Sequence, residues 1–154
     1  MDRHGYELPL LLAGAFRRII DELHRRLAAE GHPDLRPAYG FALQAVGRDG
    51  CTVSDLGRRL GVSKQAATKT TTKLTDLGYV ARTPDPTDAR AIRLTLTPHG
   101  RAALARSAQI FDDLHAEWKQ SLGATRLKAL EDDLTQLTPS NTPTPLADLP
   151  GWFH

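Results

Sequence analysis

The run from Ser63 to Lys73 reads SKQAATKTTTK. It spreads three ammonium groups, Lys64, Lys69 and Lys73, over about two and a half helical turns. No carboxylate follows until Asp76. Gln65, Thr68 and Thr72 lie between the lysines, and Ala66 is small enough to let a helix approach a surface closely. Ammonium groups neutralise phosphates, while glutamine, lysine and threonine side chains can address the edges of stacked bases in a major groove. A plain solvated helix face is the alternative, but such faces mix signs and this one does not.

A second group of charged residues follows. Arg82, Asp88, Arg90 and Arg93 flank or occupy the stretch Thr83-Pro84-Asp85-Pro86-Thr87-Asp88-Ala89-Arg90. Its two prolines and turn-forming aspartates mark a loop between strands. An arginine near the tip of such a hairpin suits phosphate contact and insertion into a minor groove. Asp88 would orient Arg90, while Arg82, Arg93 and Lys73 would hold phosphates. Between Arg58 and Arg93 eight cations stand against three acids, a net +5, whereas the whole chain carries +2. Charge is gathered here, as binding to a polyanion requires. The helix starting after Thr52 adds free backbone amides that could receive a phosphate.

These side chains need a frame, and the neighbouring residues supply one. Leu56 and Leu60 lie one turn apart, with Val53 a turn before and Thr52 and Asp55 placed as a capping box. Gly61 suits the left-handed exit of that helix, and Ser63 suits the cap of the next. Ala67, Thr71, Leu74 and Leu77 then recur at helical spacing and point inward. A short strand over Gly78–Arg82 and an alternating strand through Ile92, Leu94 and Leu96 form the hairpin. The pattern is a helix-turn-helix with a wing, the architecture of a DNA reader.

Helical periodicity extends on both sides. Leu12, Phe16, Ile19, Ile20, Leu23 and Leu27 make one stripe between Leu8 and Glu30, and Gly31-His32-Pro33 ends it. A helix over Pro37–Val46 turns Tyr39, Leu43 and Val46 inward. After Thr97-Pro98, the positions Leu104, Ala108, Phe111, Leu114, Trp118 and Leu122 form a long seam that Gly123 interrupts. Leu127, Leu130, Leu134 and Leu137 form a last helix, stopped by Pro139. One small winged core cannot bury all these apolar positions, so two copies are expected to interlock through them. A twofold dimer would set two reading helices about 34 Å apart and select a near-palindrome. The expected fold is mainly α (α+β): a winged helix-turn-helix over 36–100, long dimerisation helices over 1–35 and 101–138, and a Pro-rich tail over 139–154.

The same residues resemble the MarR family of bacterial transcriptional regulators. The resemblance rests on Leu56, Leu60, Gly61-Val62-Ser63, Leu74, Gly78-Tyr79-Val80 and Arg82. It rests most on Asp88-Ala89-Arg90 leading to Leu94-Thr95-Leu96-Thr97-Pro98-His99-Gly100. It covers about residues 8 to 138. It implies a homodimeric regulator of double-stranded operator DNA, expected to be a repressor, that loosens its hold when a small, often phenolic, effector binds. In such dimers the effector cavity lies between the helical arms and the reading lobe. Phe16, Arg17, His24, Tyr39, Phe111, His115 and Trp118 are the candidates here, an arginine beside aromatics suiting an aromatic carboxylate or phenolate. The alternative is that these aromatics are core and Arg17 is solvated.

Other chemistry finds little support. The six histidines form no close metal-ligand pair, and no Cys-x-x-Cys occurs. His24 and His115 could meet across packed helices to hold zinc, but neither spacing nor motif demands it. No cofactor and no nucleophile–base pair are expected, so the chain is not read as an enzyme. Cys51, the one cysteine, precedes a helix that could lower its pKa modestly, and a single thiol fits a reducing, cytoplasmic setting. No stretch is long and apolar enough to cross a membrane. The aromatic end, with Trp152 and Phe153, is either a disordered terminus or a segment that docks on the dimer helices. The competing functional reading is a regulator-like fold that binds ligands or proteins without reading DNA.

Overall fold

The computed structural model describes residues 4–137. The elements run α1 (Glu7–Ala29), α2 (Pro37–Val46), β1 (Cys51–Thr52), α3 (Val53–Leu60), α4 (Lys64–Asp76), β2 (Val80–Pro84), β3 (Ile92–Leu96), α5 (Pro98–Leu122) and α6 (Ala124–Leu137). The helix starts at α3, α4 and α5 are capped by the residues that the sequence offers. Thr52 Oγ1 accepts from Asp55 N at 3.1 Å, and Asp55 Oδ2 accepts from Thr52 N at 3.2 Å, completing the capping box. Ser63 Oγ accepts from Ala66 N at 3.1 Å and opens α4. Between them Gly61 takes φ 65°, a left-handed conformation that costs glycine little. The α3–α4 turn is therefore fixed by local chemistry at its start, its bend and its exit.

Leu27, Leu43, Leu56, Leu74, Leu94 and Ile110 are fully buried, one each from α1, α2, α3, α4, β3 and α5. A single core thus joins the reading lobe to the long helices. The sheet is antiparallel in the order β1-β3-β2, with Cys51 opposite Leu94 and Arg82 also opposite Leu94. Two ion pairs clamp the end of α1 to α5: Arg26 to Glu117 at 2.8 Å, and Arg106 with Glu30.

Several details depart from the periodic reading. The first wing strand begins at Val80 and continues through Pro84, two residues later at each end than expected. Gly78 and Tyr79 instead form the turn that leaves α4, where Gly78 takes φ 80°. Two-residue β1 was not anticipated, because its pairing partner lies more than forty residues away. On α5 the buried line is Gly100, Ala103, Ser107, Ile110 and Leu114. Of the expected seam Leu114 lies on that line, while Leu104, Phe111, Trp118 and Leu122 form its half-buried flank and Ala108 is exposed. Small residues, not the largest apolar ones, let α5 lie close to its neighbours. A Cβ on Gly100 would fall 2.1 Å from the Tyr79 carbonyl oxygen.

Surplus apolar surface remains on the long helices. Leu8, Leu10, Leu11 and Leu12 of α1 are exposed, Leu10 at 66%, as are Leu130 and Leu137 of α6, Leu137 at 69%. Among the described residues no helix is long and apolar enough to cross a membrane. The expectations for Pro139, Trp152 and Phe153 lie outside the described residues.

Candidate nucleic-acid interface

Helix α4 carries the predicted reading face. Ser63, Lys64, Gln65, Thr68, Lys69, Thr72 and Lys73 are exposed and Ala66 is half-buried, while Ala67, Thr71 and Leu74 are buried on the opposite side. The threonine hydroxyls are not idle. Thr68 donates to Lys64 O at 2.8 Å and Thr72 to Thr68 O at 3.0 Å, and Thr71 and Thr75 likewise donate to the carbonyls one turn before them. With its proton committed, each exposed threonine offers an outside partner an acceptor lone pair and a methyl group. Donors on this face come from Lys64, Gln65, Lys69 and Lys73, and from the Ser63 hydroxyl, which serves the helix only as an acceptor.

The wing stands beside it. Arg82 and Arg90 are exposed on β2 and on the 85–91 loop. Asp88 Oδ1 accepts from Arg90 N at 2.9 Å, so it orients the arginine through the backbone and not through the guanidinium. Asp85 is the buried acid of the loop. Its Oδ1 accepts from Thr87 N at 2.8 Å, Thr87 Oγ1 at 2.6 Å and Asp88 N at 3.1 Å. Those bonds, the Thr87 hydroxyl first, hold its carboxyl below the usual range.

The eight cations divide into two sets. Among the described residues the side chains of Lys64, Lys69, Lys73, Arg82 and Arg90 have no ion-pair or hydrogen-bond partner. The other three are engaged. Arg58 pairs with Asp55, and Arg59 donates to Ala45 O at 2.6 Å. Arg93 donates to Asp49 O at 2.6 Å and lies 3.7 Å from Asp85. Placed on the central strand and 34% exposed, it is the one member of the predicted phosphate set whose guanidinium already has protein partners. Thr52 is likewise occupied by its capping box, and the Asp55 carboxylate stands where a phosphate would approach the α3 amides. The sequence pattern missed Asp85 and Arg59 as functional supports. The Asp-Pro-Thr-Asp string signals Asp85 as a turn residue, but nothing in it signals burial.

The seven effector candidates do not converge. An open groove of about 1220 Å³ runs between α1 and α5, walled by Leu10, Leu11, Leu114 and Trp118 with Arg17 and Arg18. Only Arg17 and Trp118 of the seven line it. Phe16 stacks on Phe41 with ring centroids 6.3 Å apart. Tyr39 and Phe111 pack against the core. His24 borders a second, much smaller cavity of about 20 Å³, and its Nδ1 donates to Leu35 O at 2.7 Å. His115 faces Glu131 of α6 at 2.8 Å. His24 and His115 are therefore held in separate contacts. Helical spacing fixed which residues share a stripe but not which neighbour each stripe meets. Cys51 also differs from expectation. It is buried in β1, and burial raises its thiol pKa despite the helix that follows.

Comparison with known proteins matches this arrangement. The sequence profile of the MarR family covers residues 34–91, from just before α2 through the tip of the wing. The multiple antibiotic resistance protein MarR of Salmonella typhimurium is 34% identical over 92 residues, 58% of this chain and 64% of that protein. The crystal structure of wild-type apo MarR from E. coli superposes with a TM-score of 0.72 at 26% identity, over 90% of this chain and 99% of the other. The winged lobe of this chain is thus similar to that of the MarR family. The structural likeness to MarR takes in the long helices as well as the winged lobe and extends well past the profile match. A mutant of E. coli MarR solved in complex with operator DNA superposes with a TM-score of 0.67 at 26% identity, over 90% of this chain and 100% of that one. The matched stretches span 57% to 64% of the length of the curated relatives.

Proposed function

We propose that this chain is a cytoplasmic, homodimeric transcriptional repressor of the MarR type that reads a near-palindromic operator. The observation that carries the reading is the pairing of two surfaces. One is the exposed face of α4 with Lys64, Gln65, Lys69 and Lys73, which holds no carboxylate before its last residue, Asp76. The other is the wing with unpartnered Arg90 and Arg82. Gln65 with Lys64 and Lys69 meets base edges and nearby phosphates. Thr68 and Thr72 add acceptors and methyl groups, and Ser63 and Ala66 let the helix start sit close to the groove. Arg90 enters the minor groove, and Arg82 and Lys73 hold phosphates. The E. coli relative solved with operator DNA supports this use of the fold.

Dimerisation runs through the segments 1–35 and 101–138. The exposed leucines of α1 and α6 supply apolar surface for a second copy. A small aromatic anion acts as effector in the α1–α5 groove, where Arg17 meets its charge and Trp118 its ring. Its binding shifts the spacing of the two reading heads and so their fit to successive grooves.

Footprinting the purified protein on the DNA flanking its own coding region, with and without small aromatic acids, tests each part. Protection of a two-half-site region that fades with salt is the expected result. No salt-dependent binding would instead favour a ligand- or protein-binding module. Protection that no aromatic acid alters would remove the effector and leave the DNA reader.

A further inference from the structure

A carboxylate in a loop that meets a polyanion is unfavourable unless it is neutralised and used. Asp85 fits that condition. Its side chain is 6% exposed although the surrounding loop is open, and one oxygen gathers three donors from Thr87 and Asp88. Its other oxygen faces Arg93. Arg93 sits on β3 with strand partners on both sides, Thr52 of β1 and Thr83 of β2. From there its guanidinium reaches the Asp49 carbonyl in the turn before β1. A continuous path follows: the 47–50 turn, Arg93, Asp85, the backbone of Thr87 and Asp88, the Asp88 carboxylate and the Arg90 amide. The loop closes on itself as well, with Asp85 N donating to Ala91 O and Ala91 N to Asp88 O, both at 3.0 Å.

We propose that Asp85 and Arg93 are positioning residues, a buttress that fixes the direction in which Arg90 leaves the wing, and that Arg93 contacts no phosphate. The proposal rests on the DNA-binding reading for its effect on affinity, but the buttress itself is a property of the free protein. One guanidinium nitrogen donates to a backbone carbonyl while the other lies 3.7 Å from a buried carboxylate, a forked arrangement that the single ammonium of a lysine cannot reproduce. Freeing it for a phosphate would break a 2.6 Å hydrogen bond and leave the Asp85 carboxylate without its counter-charge.

Two measurements on the full chain test this. In the first, amide hydrogen exchange is followed in the free protein for Arg93→Gln, Arg93→Lys and Asp85→Ala. Exchange at Thr87 and Asp88 should rise about tenfold or more in all three, while amides at Leu56 and Leu74 keep their protection. Unchanged exchange at Thr87 and Asp88 overturns the buttress, whatever the DNA data show. In the second, the salt dependence of duplex binding is compared with that of Arg90→Ala. Loss of a phosphate contact lowers the log–log salt slope by about 0.9, and Arg90→Ala should do so. Arg93→Gln and Arg93→Lys should weaken binding about tenfold with the slope unchanged, and the Arg93→Gln, Asp85→Ala pair should cost no more than its worse member. A slope reduced in Arg93→Gln and restored in Arg93→Lys overturns the proposal in favour of a phosphate contact. If the unaltered protein shows no salt-dependent binding, the DNA reading fails, and the exchange result still decides the buttress.

Discussion

His32 Nδ1 lies 2.7 Å from the Tyr79 hydroxyl, and His99 stacks on the same tyrosine with ring centroids 4.5 Å apart. Three segments distant in sequence meet there: the link from α1 to α2, the root of the wing, and the first turn of α5. The histidine rings are themselves 4.8 Å apart. Burial depresses the His32 pKa, with His99 adding to the effect and Glu30 partly opposing it. Burial also lowers that of His24.

A base whose folded pKa is depressed favours the fold while both states are neutral. Its contribution is complete above the ordinary histidine value of 6.5 and is lost as pH falls below that value toward the folded one. Urea midpoints should therefore be level above about pH 7 and decline between about pH 6.5 and 5. His32→Gln should flatten part of that decline. The carboxylates act lower: Glu22, held by Arg25 and Arg26 at about 2, loses its contribution only below its ordinary 4.5. An unchanged decline in His32→Gln would remove this residue from the pH response.

Gln65→Ala should cost about 1–3 kcal/mol against the preferred operator and far less against duplexes altered at the contacted base. The committed hydroxyls of Thr68 and Thr72 leave Gln65 as the uncharged donor beyond the helix start at Ser63. A uniform loss across all duplexes, measured by competition titration, would make it a general contact.

Arg90→Ala should weaken operator binding by about 1–3 kcal/mol with the far-ultraviolet spectrum unchanged. Equal affinity in a folded variant would take the wing out of DNA recognition.

Gly100→Ala should destabilise the fold by about 1–3 kcal/mol. The added methyl meets the Tyr79 backbone 2.1 Å away and not a flexible side chain. Urea denaturation checks this, and a variant as stable as the parent would show that α5 can slide.

Leu10→Glu or Leu11→Glu should shift the protein from dimer to monomer in sedimentation experiments. These side chains are exposed in the single chain and would be desolvated between two. A variant that remains dimeric would place the partner elsewhere.

Local chemistry made much of this protein legible in one dimension. The caps at Thr52, Ser63 and Thr97, the left-handed turn at Gly61 and the helical period of Ala67, Thr71 and Leu74 each depend on residues within one or two turns. The absence of acids from Ser63 to Thr75 is equally local, so the winged helix-turn-helix and its cationic face could be read directly. What required tertiary structure was every contact between distant segments. Strand β1 exists only because Leu94 returns beside Cys51. The buried line of α5 begins at Gly100, which fits against the Tyr79 backbone, a fit that no hydrophobic period encodes. The seven effector candidates separated because helix faces acquire neighbours only on packing. Arg93 illustrates the physical reason most directly: an arginine in a cationic stretch has the same charge whether it meets solvent alone or a buried aspartate, and only the approach of Asp49 and Asp85 gives it partners within the protein.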